Sequence, residues 1–296
     1  MRRVAALALA AWLALAGAAY PAAAQELTGT LKHIKDAGAI VIGYRESSIP
    51  FSYVNSLGEP IGYSIDLCNE IADEVSLELG NEIGVSYKKV TSQDRIPVLR
   101  AGEIDIECGS TTSNLERKKE VAFSPTFFVS GTKLLVKRSS RISSYRDLRG
   151  KTVVVTAGTT NEAALKTLSD KQTLGITFVV GKDHAESFAI LREGRADAFA
   201  TDDVLLYGLI ATTRSSGDYM VVGDFLSYDP YGLMFRKDDP DFAAVVDRRF
   251  SKLAESRELV QLYNKWFLKR LPTGERLDIP ISPQLQEIFR VLGLPE

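Results

Sequence analysis

A chain of 296 residues, 45% hydrophobic and 25% charged, has room for about two domains of ordinary water-soluble composition. Its formal net charge of −2 shows no basic excess, which argues against a nucleic-acid binder. Two cysteines are too few for a structural zinc site of the usual kind.

The N-terminus reads as a secretory signal peptide over 1–24. Arg2 and Arg3 form a basic start, Val4 to Ala19 is Ala/Leu-rich, and Ala22-Ala23-Ala24 offers an A-x-A cleavage site after Ala24. A membrane anchor fits less well, because the apolar run is short. Without the two arginines, 34 basic and 38 acidic residues remain, about −4 by this count. Export places Cys68 and Cys108 in an oxidising compartment, where a disulfide between them is expected; two buried thiols are the alternative.

In chain order, Leu31, Ile34 and Lys35 open a short amphipathic helix, and His33 on it reads as a surface histidine. Ala39 to Gly43 is a buried strand that leads into a polar-aromatic loop, Tyr44 to Tyr53. Ile65, Cys68, Ile71, Ala72, Val75 and Leu79 have helical spacing, with Ser64 as N-cap and Gly80 as stop. Val85 to Val90 is a strand, Thr91 to Arg95 a loop, and Pro97 starts a short helix that Gly102 closes. Ile104 to Glu107 is the next strand. It enters Cys108-Gly109-Ser110-Thr111-Thr112, after which Ser113 and Glu116 have capping-box spacing and predict a helix carrying Arg117. Exposed N–H groups, hydroxyls and a guanidinium at one helix start make a receptor for a carboxylate or phosphate.

The pattern then repeats. Lys151 to Thr156 is a strand, and Thr159 and Glu162 cap a helix; Ile176 to Val180 is a strand, and Asp183 and Glu186 cap a helix with His184 at its first position. Ala196 to Ala200 is a strand that ends in Asp202 and Asp203. Asp203 reads as the N-cap that leaves Asp202 for a ligand, although the reverse assignment fits the spacing too. Tyr231 to Phe235 reads as a late strand and Phe242 to Phe267 as helical. A Pro-rich tail carries one helix, capped by Ser282 with Pro283 at N1.

Strand and helix alternate in two blocks, which predicts an α/β protein of two lobes. The polar loops all follow strand ends, where ligands bind to parallel sheets. They gather Arg45, Ser92, Arg95, Ser110, Thr112, Arg117, Thr159, Thr160, His184 and Asp202. Three guanidinium groups match two anionic groups, and Asp202 balances an ammonium. A small amino acid with an acidic side chain fits that count. No nucleophile–base spacing, metal-ligand spacing or Gly-rich nucleotide loop appears, so no cofactor or metal is expected.

Long runs carry a resemblance: Tyr44-Arg45-Glu46-Ser47-Ser48-Ile49-Pro50-Phe51-Ser52-Tyr53, Thr91-Ser92-Gln93-Asp94-Arg95-Ile96-Pro97, Glu107-Cys108-Gly109-Ser110-Thr111-Thr112, Lys182-Asp183-His184 and Tyr263-Asn264-Lys265-Trp266-Phe267. With them the chain resembles the periplasmic glutamate/aspartate-binding proteins of ABC importers, among the family 3 extracellular solute-binding proteins. The resemblance implies a type II periplasmic-binding-protein fold. Lobe 1 would be 25–127 with 237–296 and lobe 2 128–236, joined by two extended crossings. It implies an α-carboxylate site at Arg117, Thr112 and Thr160, an ammonium site at Asp202 with the Ser110 region, and a side-chain carboxylate site at Arg45, Ser92, Arg95 and His184. It also implies a monomer that delivers its ligand to an inner-membrane permease. Two departures stand out. Tyr44 replaces a frequent histidine, and Asp94 replaces a frequent asparagine, where it would weaken the hold of Arg95 on an anion. The rival expectations are a sensory module, a binder of glutamine or asparagine, and a dehydratase-like enzyme using Glu46 or Glu107.

Overall fold

The computed structural model describes residues 27–295. The signal peptide and its cleavage site lie outside the described residues.

Two five-stranded sheets organise the chain. The first runs Gly84–Lys89, Ala39–Tyr44, Ile106–Glu107, Met234–Arg236, Val121–Phe123. The second runs Thr177–Gly181, Thr152–Thr156, Ala198–Asp202, Thr132–Lys137, Tyr219–Val222. Both have the same plan: the second strand of the block, then the first, then the third, all parallel. Next to the third lies a strand that arrives from the other half of the chain and runs antiparallel. A strand entering from the opposite unit comes in against the direction of the βα repeat, so the antiparallel register follows from the crossover.

The crossings themselves pair. Phe128–Ser130 and Asp229–Tyr231 form a two-stranded antiparallel ribbon between the sheets. The expected single strand Tyr231 to Phe235 is therefore two short strands in different sheets, broken at Gly232 and Leu233. A side chain on Gly232 would come within 3.2 Å of Phe123 and the Ser124 carbonyl, a tight contact that glycine avoids.

The ribbon is anchored by aromatics. Phe51 lies edge-on to Phe128 and Tyr231, with ring centroids 4.9 and 5.0 Å away, and Phe267 stacks on Phe128 at 4.9 Å and on Tyr263 at 4.3 Å. Pairs of this kind are each worth about 0.5–1.5 kcal/mol beyond their burial. Val204 and Leu205, from the helix that follows the strand Ala198–Asp202, join the same buried cluster. Separate clusters, around Leu135 and Phe199 and around Val153 and Leu165, cover the two faces of the second sheet. Parallel strands buried on both faces account for its near-continuous Val/Ile/Ala runs.

Three local expectations change. The helix Tyr63–Leu79 is capped by Gly62 rather than Ser64, because a side chain on Gly62 would collide with the Phe51 carbonyl at 2.1 Å. Ser64 lies inside the first turn and donates to the Gly109 carbonyl at 2.8 Å. The stretch 242–267 is two helices, Pro240–Glu255 and Glu258–Phe267, separated at Arg257 with φ 65°; no glycine or proline marks that break. His33 is half-exposed but not solitary. Its Nδ1 lies 2.9 Å from the buried carboxylate of Asp105. That carboxylate also accepts from Val41 N at 2.9 Å and Arg236 Nη2 at 2.8 Å.

Candidate ligand-binding site

Every loop that follows a parallel strand end points toward the space between the sheets. Arg45 follows Ala39–Tyr44 and is 2% exposed. Its backbone is fixed by Ser52, whose Oγ accepts from Arg45 N at 2.8 Å. Arg95, also 2% exposed, opens the short helix Arg95–Arg100 and donates Nη1–H to Thr111 Oγ1 at 2.6 Å. Asp94 turns its carboxylate to the Thr91 N–H at 2.6 Å, away from the Arg95 fork. Arg45 Nη1, Arg95 Nε, Ser92 Oγ and Ser110 Oγ are buried without a hydrogen-bond partner among the described residues. Buried polar groups are ordinarily paired, so four such atoms together mark where a polar ligand fits.

His184, 1% exposed, starts the helix His184–Arg192 capped by Asp183. Its Nδ1 sits 3.0 Å from Thr156 Oγ1. Burial, then the charges of Arg45 and Arg95, hold its pKa well below the ordinary value. The imidazole is therefore neutral at pH 7 and offers directed hydrogen bonding; it does not add a fourth positive charge.

The other end of the cleft differs from the expectation drawn from Ser113 and Glu116. Residues 117–119 form a single 3₁₀ turn, and the Arg117 N–H is capped by Asn114 Oδ1 at 2.9 Å. Ser113 N donates to the Pro230 carbonyl at 2.7 Å, so the crossing strand has taken the backbone that a capping box needs. The helix N-terminus at the cavity is that of Thr160–Lys171, with Thr159 Oγ1 accepting from Glu162 N. Arg117 Nη1 donates to the Thr112 carbonyl at 2.9 Å, and Nη2 reaches across to the Gly158 carbonyl at 3.3 Å. Burial, reinforced by Arg95, brings the Arg117 guanidinium down to about 9 and that of Arg45 down to about 10. Three guanidinium groups this close repel one another until an anion enters.

Asp202, 3% exposed, occupies the N-cap position that had been given to Asp203, yet its side chain caps nothing. Its oxygens accept from Asn161 Nδ2 at 2.8 Å and from Tyr231 Oη at 2.5 Å. Burial, then the nearby Asp229, push its carboxyl up to about 7. A cation beside it would reverse that shift. Asp203 instead accepts from Ser130 Oγ at 2.7 Å and from Val204 N.

A closed cavity of about 10 Å³, room for about one water, is lined by Ser92, Arg95, Ser110, Thr112, Thr160, His184 and Asp202, together with Thr159, Asn161 and Leu205. Arg45 and Arg117 are not among these lining residues; Arg117 reaches the Thr112 carbonyl. Asn161, Leu205, Tyr231 and Asp229 were not foreseen as site residues. Asn161 was visible only as a polar residue at an Ala-rich helix start, and Tyr231 and Asp229 reach the cleft through the crossing strand alone. A larger apolar groove of about 480 Å³ beside the ribbon is lined by Phe128, Tyr207, Phe225, Tyr228 and Asp203 among others. It holds no guanidinium, so the anion chemistry belongs to the small polar cavity. Cys68 and Cys108 are bonded with Cα atoms 6.4 Å apart, which ties the helix Tyr63–Leu79 to the segment that carries Ser110 and Thr112.

Two α/β lobes on a paired ribbon, with a small, charged, dry cavity between them, define a solute-binding protein of the type II periplasmic class. The chain belongs to the bacterial extracellular solute-binding proteins, family 3, whose model matches residues 40–269. It is 46% identical to the L-glutamate/L-aspartate-binding protein of Pseudomonas aeruginosa, over 91% of this chain and 90% of that protein. It is 41% identical to the glutamate/aspartate import solute-binding protein of Escherichia coli K12, over 96% and 94%. A solved mutant of ArgBP from T. maritima superposes with a TM-score of 0.73 at 29% identity, covering 81% of this chain and all of that one. These relatives bear the names of binding proteins, not of enzymes. No helix among the described residues is long and apolar enough to cross a membrane.

Proposed function

We propose that this protein captures L-glutamate or L-aspartate between its lobes and delivers it to an inner-membrane ABC permease. It works in the periplasm as a monomer, after cleavage near Ala24. Lobe 1 is 25–127 with 237–296, lobe 2 is 128–236, and the ribbon between them is the hinge of a two-state clamp. Arg117, Thr112 and the helix start at Thr160 take the α-carboxylate. Asp202, with Ser110 beside it, takes the ammonium. Arg45, Ser92, Arg95 and His184 take the side-chain carboxylate. The chain binds and releases; it does not turn its ligand over. Of the two carboxylates once considered for acid–base work, Glu46 pairs with Lys89 at 2.6 Å on the surface and Glu107 is fully buried.

One observation carries this reading: Arg95, 2% exposed, lines one cavity with the unpaired Ser92 and Ser110 hydroxyls and the carboxylate of Asp202, while the equally buried Arg45 has an unpaired Nη1. A neutral amide would leave the two buried guanidinium groups with no ligand anion to match their remaining charge, and removing a charge partner from such a site costs several kcal/mol. Calorimetric titration with glutamate, aspartate, glutamine and asparagine tests it. Micromolar or tighter binding (about −8 kcal/mol) is expected for the acids and much weaker binding for the amides. Equal affinity for glutamate and glutamine overturns the assignment.

A further inference from the structure

We propose that Glu107 is the specificity residue that limits the side-chain end of the cleft to a single negative charge. This deepens the glutamate/aspartate reading and rests on it. Glu107 ends the strand Ile106–Glu107 and is fully buried. It does not line the cavity. Its Oε2 accepts from Thr111 Oγ1 at 2.6 Å, and Thr111 Oγ1 in turn accepts from Arg95 Nη1 at 2.6 Å. Its Oε1 has no hydrogen-bond partner among the described residues. The carboxylate is pressed against the stem of Arg45. A side chain on Gly109 would lie 2.3 Å from Glu107 Oε1 and 2.9 Å from Arg45 Cγ, so glycine is what makes room for the pair.

The charge count then closes. Arg45 and Arg95 bring two positive charges and neutral His184 brings none. Glu107 adds one buried carboxylate, and Asp94 and Asp183 act on Arg45 more weakly; set against Glu107, the two guanidinium groups leave a single positive charge, matched by one carboxylate. With Glu107 neutral, the same end would suit a dianion. The three guanidinium groups report the same relation: burial draws each down, and among the carboxylates Glu107 acts most strongly on Arg45, Arg95 and Arg117 alike to hold their protons. Glu107 acts through the arginines and through Thr111, without touching the ligand.

The test compares L-glutamate with 2-amino-4-phosphonobutanoate, whose side chain has a second ionisation near neutral pH, by calorimetry on the full mature chain. In Glu107→Gln at pH 8 the ratio of phosphonate to glutamate affinity should rise about tenfold over wild type, the effect of removing one buried charge. Thr111 can still donate to the Gln oxygen, so a purely structural role for Glu107 leaves the ratio where it was, and an unchanged ratio overturns the proposal. The wild type supplies a second measurement that needs no variant. Its phosphonate-to-glutamate ratio should fall from pH 5.5 to pH 8 as the phosphonate gains its second charge. Titration of Asp202, at the ammonium end, enters both ligands' binding alike and drops out of that ratio, and His184 is held well below its ordinary value by burial and by Arg45 and Arg95. A flat or rising ratio overturns the proposal even if the variant does not fold. Wild type that binds no glutamate overturns the functional reading and the charge assignment with it, whereas glutamate binding with unchanged ratios overturns the charge assignment alone.

Discussion

The hydroxyls of Thr112 and Thr160 meet across the cleft 3.2 Å apart, and both donate to the same oxygen, Asp229 Oδ1, at 3.1 and 2.9 Å. One threonine belongs to the first sheet's loops, the other to the second's, and the carboxylate sits on the ribbon between them. Closure thus has hydrogen bonds of its own, besides any that a ligand makes. Each hydroxyl has one proton, so a ligand carboxylate that takes the proton of Thr112 does so in exchange for the bond to Asp229.

Asp229→Ala should therefore loosen the closed form. Hydrogen bonds to an ionised acceptor are worth about 1.5–3 kcal/mol each. Part of that is recovered when water reaches the open lobes, so glutamate affinity should drop roughly tenfold, or about 1.4 kcal/mol. Small-angle scattering of the ligand-free variant should show a larger radius than wild type. Identical radii and affinities would show that these bonds do not stabilise closure.

Arg117→Ala should weaken glutamate and aspartate binding alike, by about 2–5 kcal/mol, because the α-carboxylate common to both loses its charged partner. Calorimetry checks this. A loss confined to one of the two acids would move Arg117 to the side-chain end.

Binding should depend on pH through Asp202, whose carboxyl is pushed up to about 7 by burial and by Asp229. An ammonium favours the ionised form, so the pKa falls on binding and a proton is released. Affinity is then full above pH 7 and declines as pH falls through 7, by up to about tenfold per unit until the ligand-bound pKa is reached. Titrations between pH 8 and 5.5 should show that decline, and Asp202→Asn should bind weakly with no slope in the same window.

Gly158 provides a test of closure that leaves both lobes intact. Its φ is 72°, and a Cβ there would lie 2.7 Å from Gln93 Cα and 2.9 Å from the Ser92 carbonyl, both on the facing lobe. Gly158→Ala pays about 1–2 kcal/mol of left-handed strain. The collision occurs only in the closed form, so the thermal midpoint of the ligand-free protein should shift by a few degrees while glutamate affinity falls far more. Wild-type affinity in this variant would place the facing backbones further apart.

Reducing the Cys68–Cys108 bond, which spans 40 residues, should destabilise the protein by about 4 kcal/mol on the chain-entropy model. Differential scanning calorimetry with and without reductant measures it. An unchanged midpoint would mean the bond does not constrain the unfolded chain.

The sequence by itself determined the two α/β units, the strand ends that bear the polar groups, and most residues that line the candidate cavity. Strand–helix alternation and hydroxyl or arginine residues after buried runs are local patterns, and parallel sheets gather such loops at one edge whatever the details. Only the tertiary structure decided the rest. A left-handed Arg257 breaks the long helical stretch because local packing overrides propensity. Ser113 loses its capping role because Pro230, more than a hundred residues away, takes its N–H. His184 loses its charge because burial and two arginines surround it. Tyr231 and Asp229 enter the cleft through a chain crossing that no window of sequence contains. Residue types and their order set the inventory of charges. Which of those charges face one another, and how dry the space between them is, depends on contacts between distant segments, and those exist only in the folded chain.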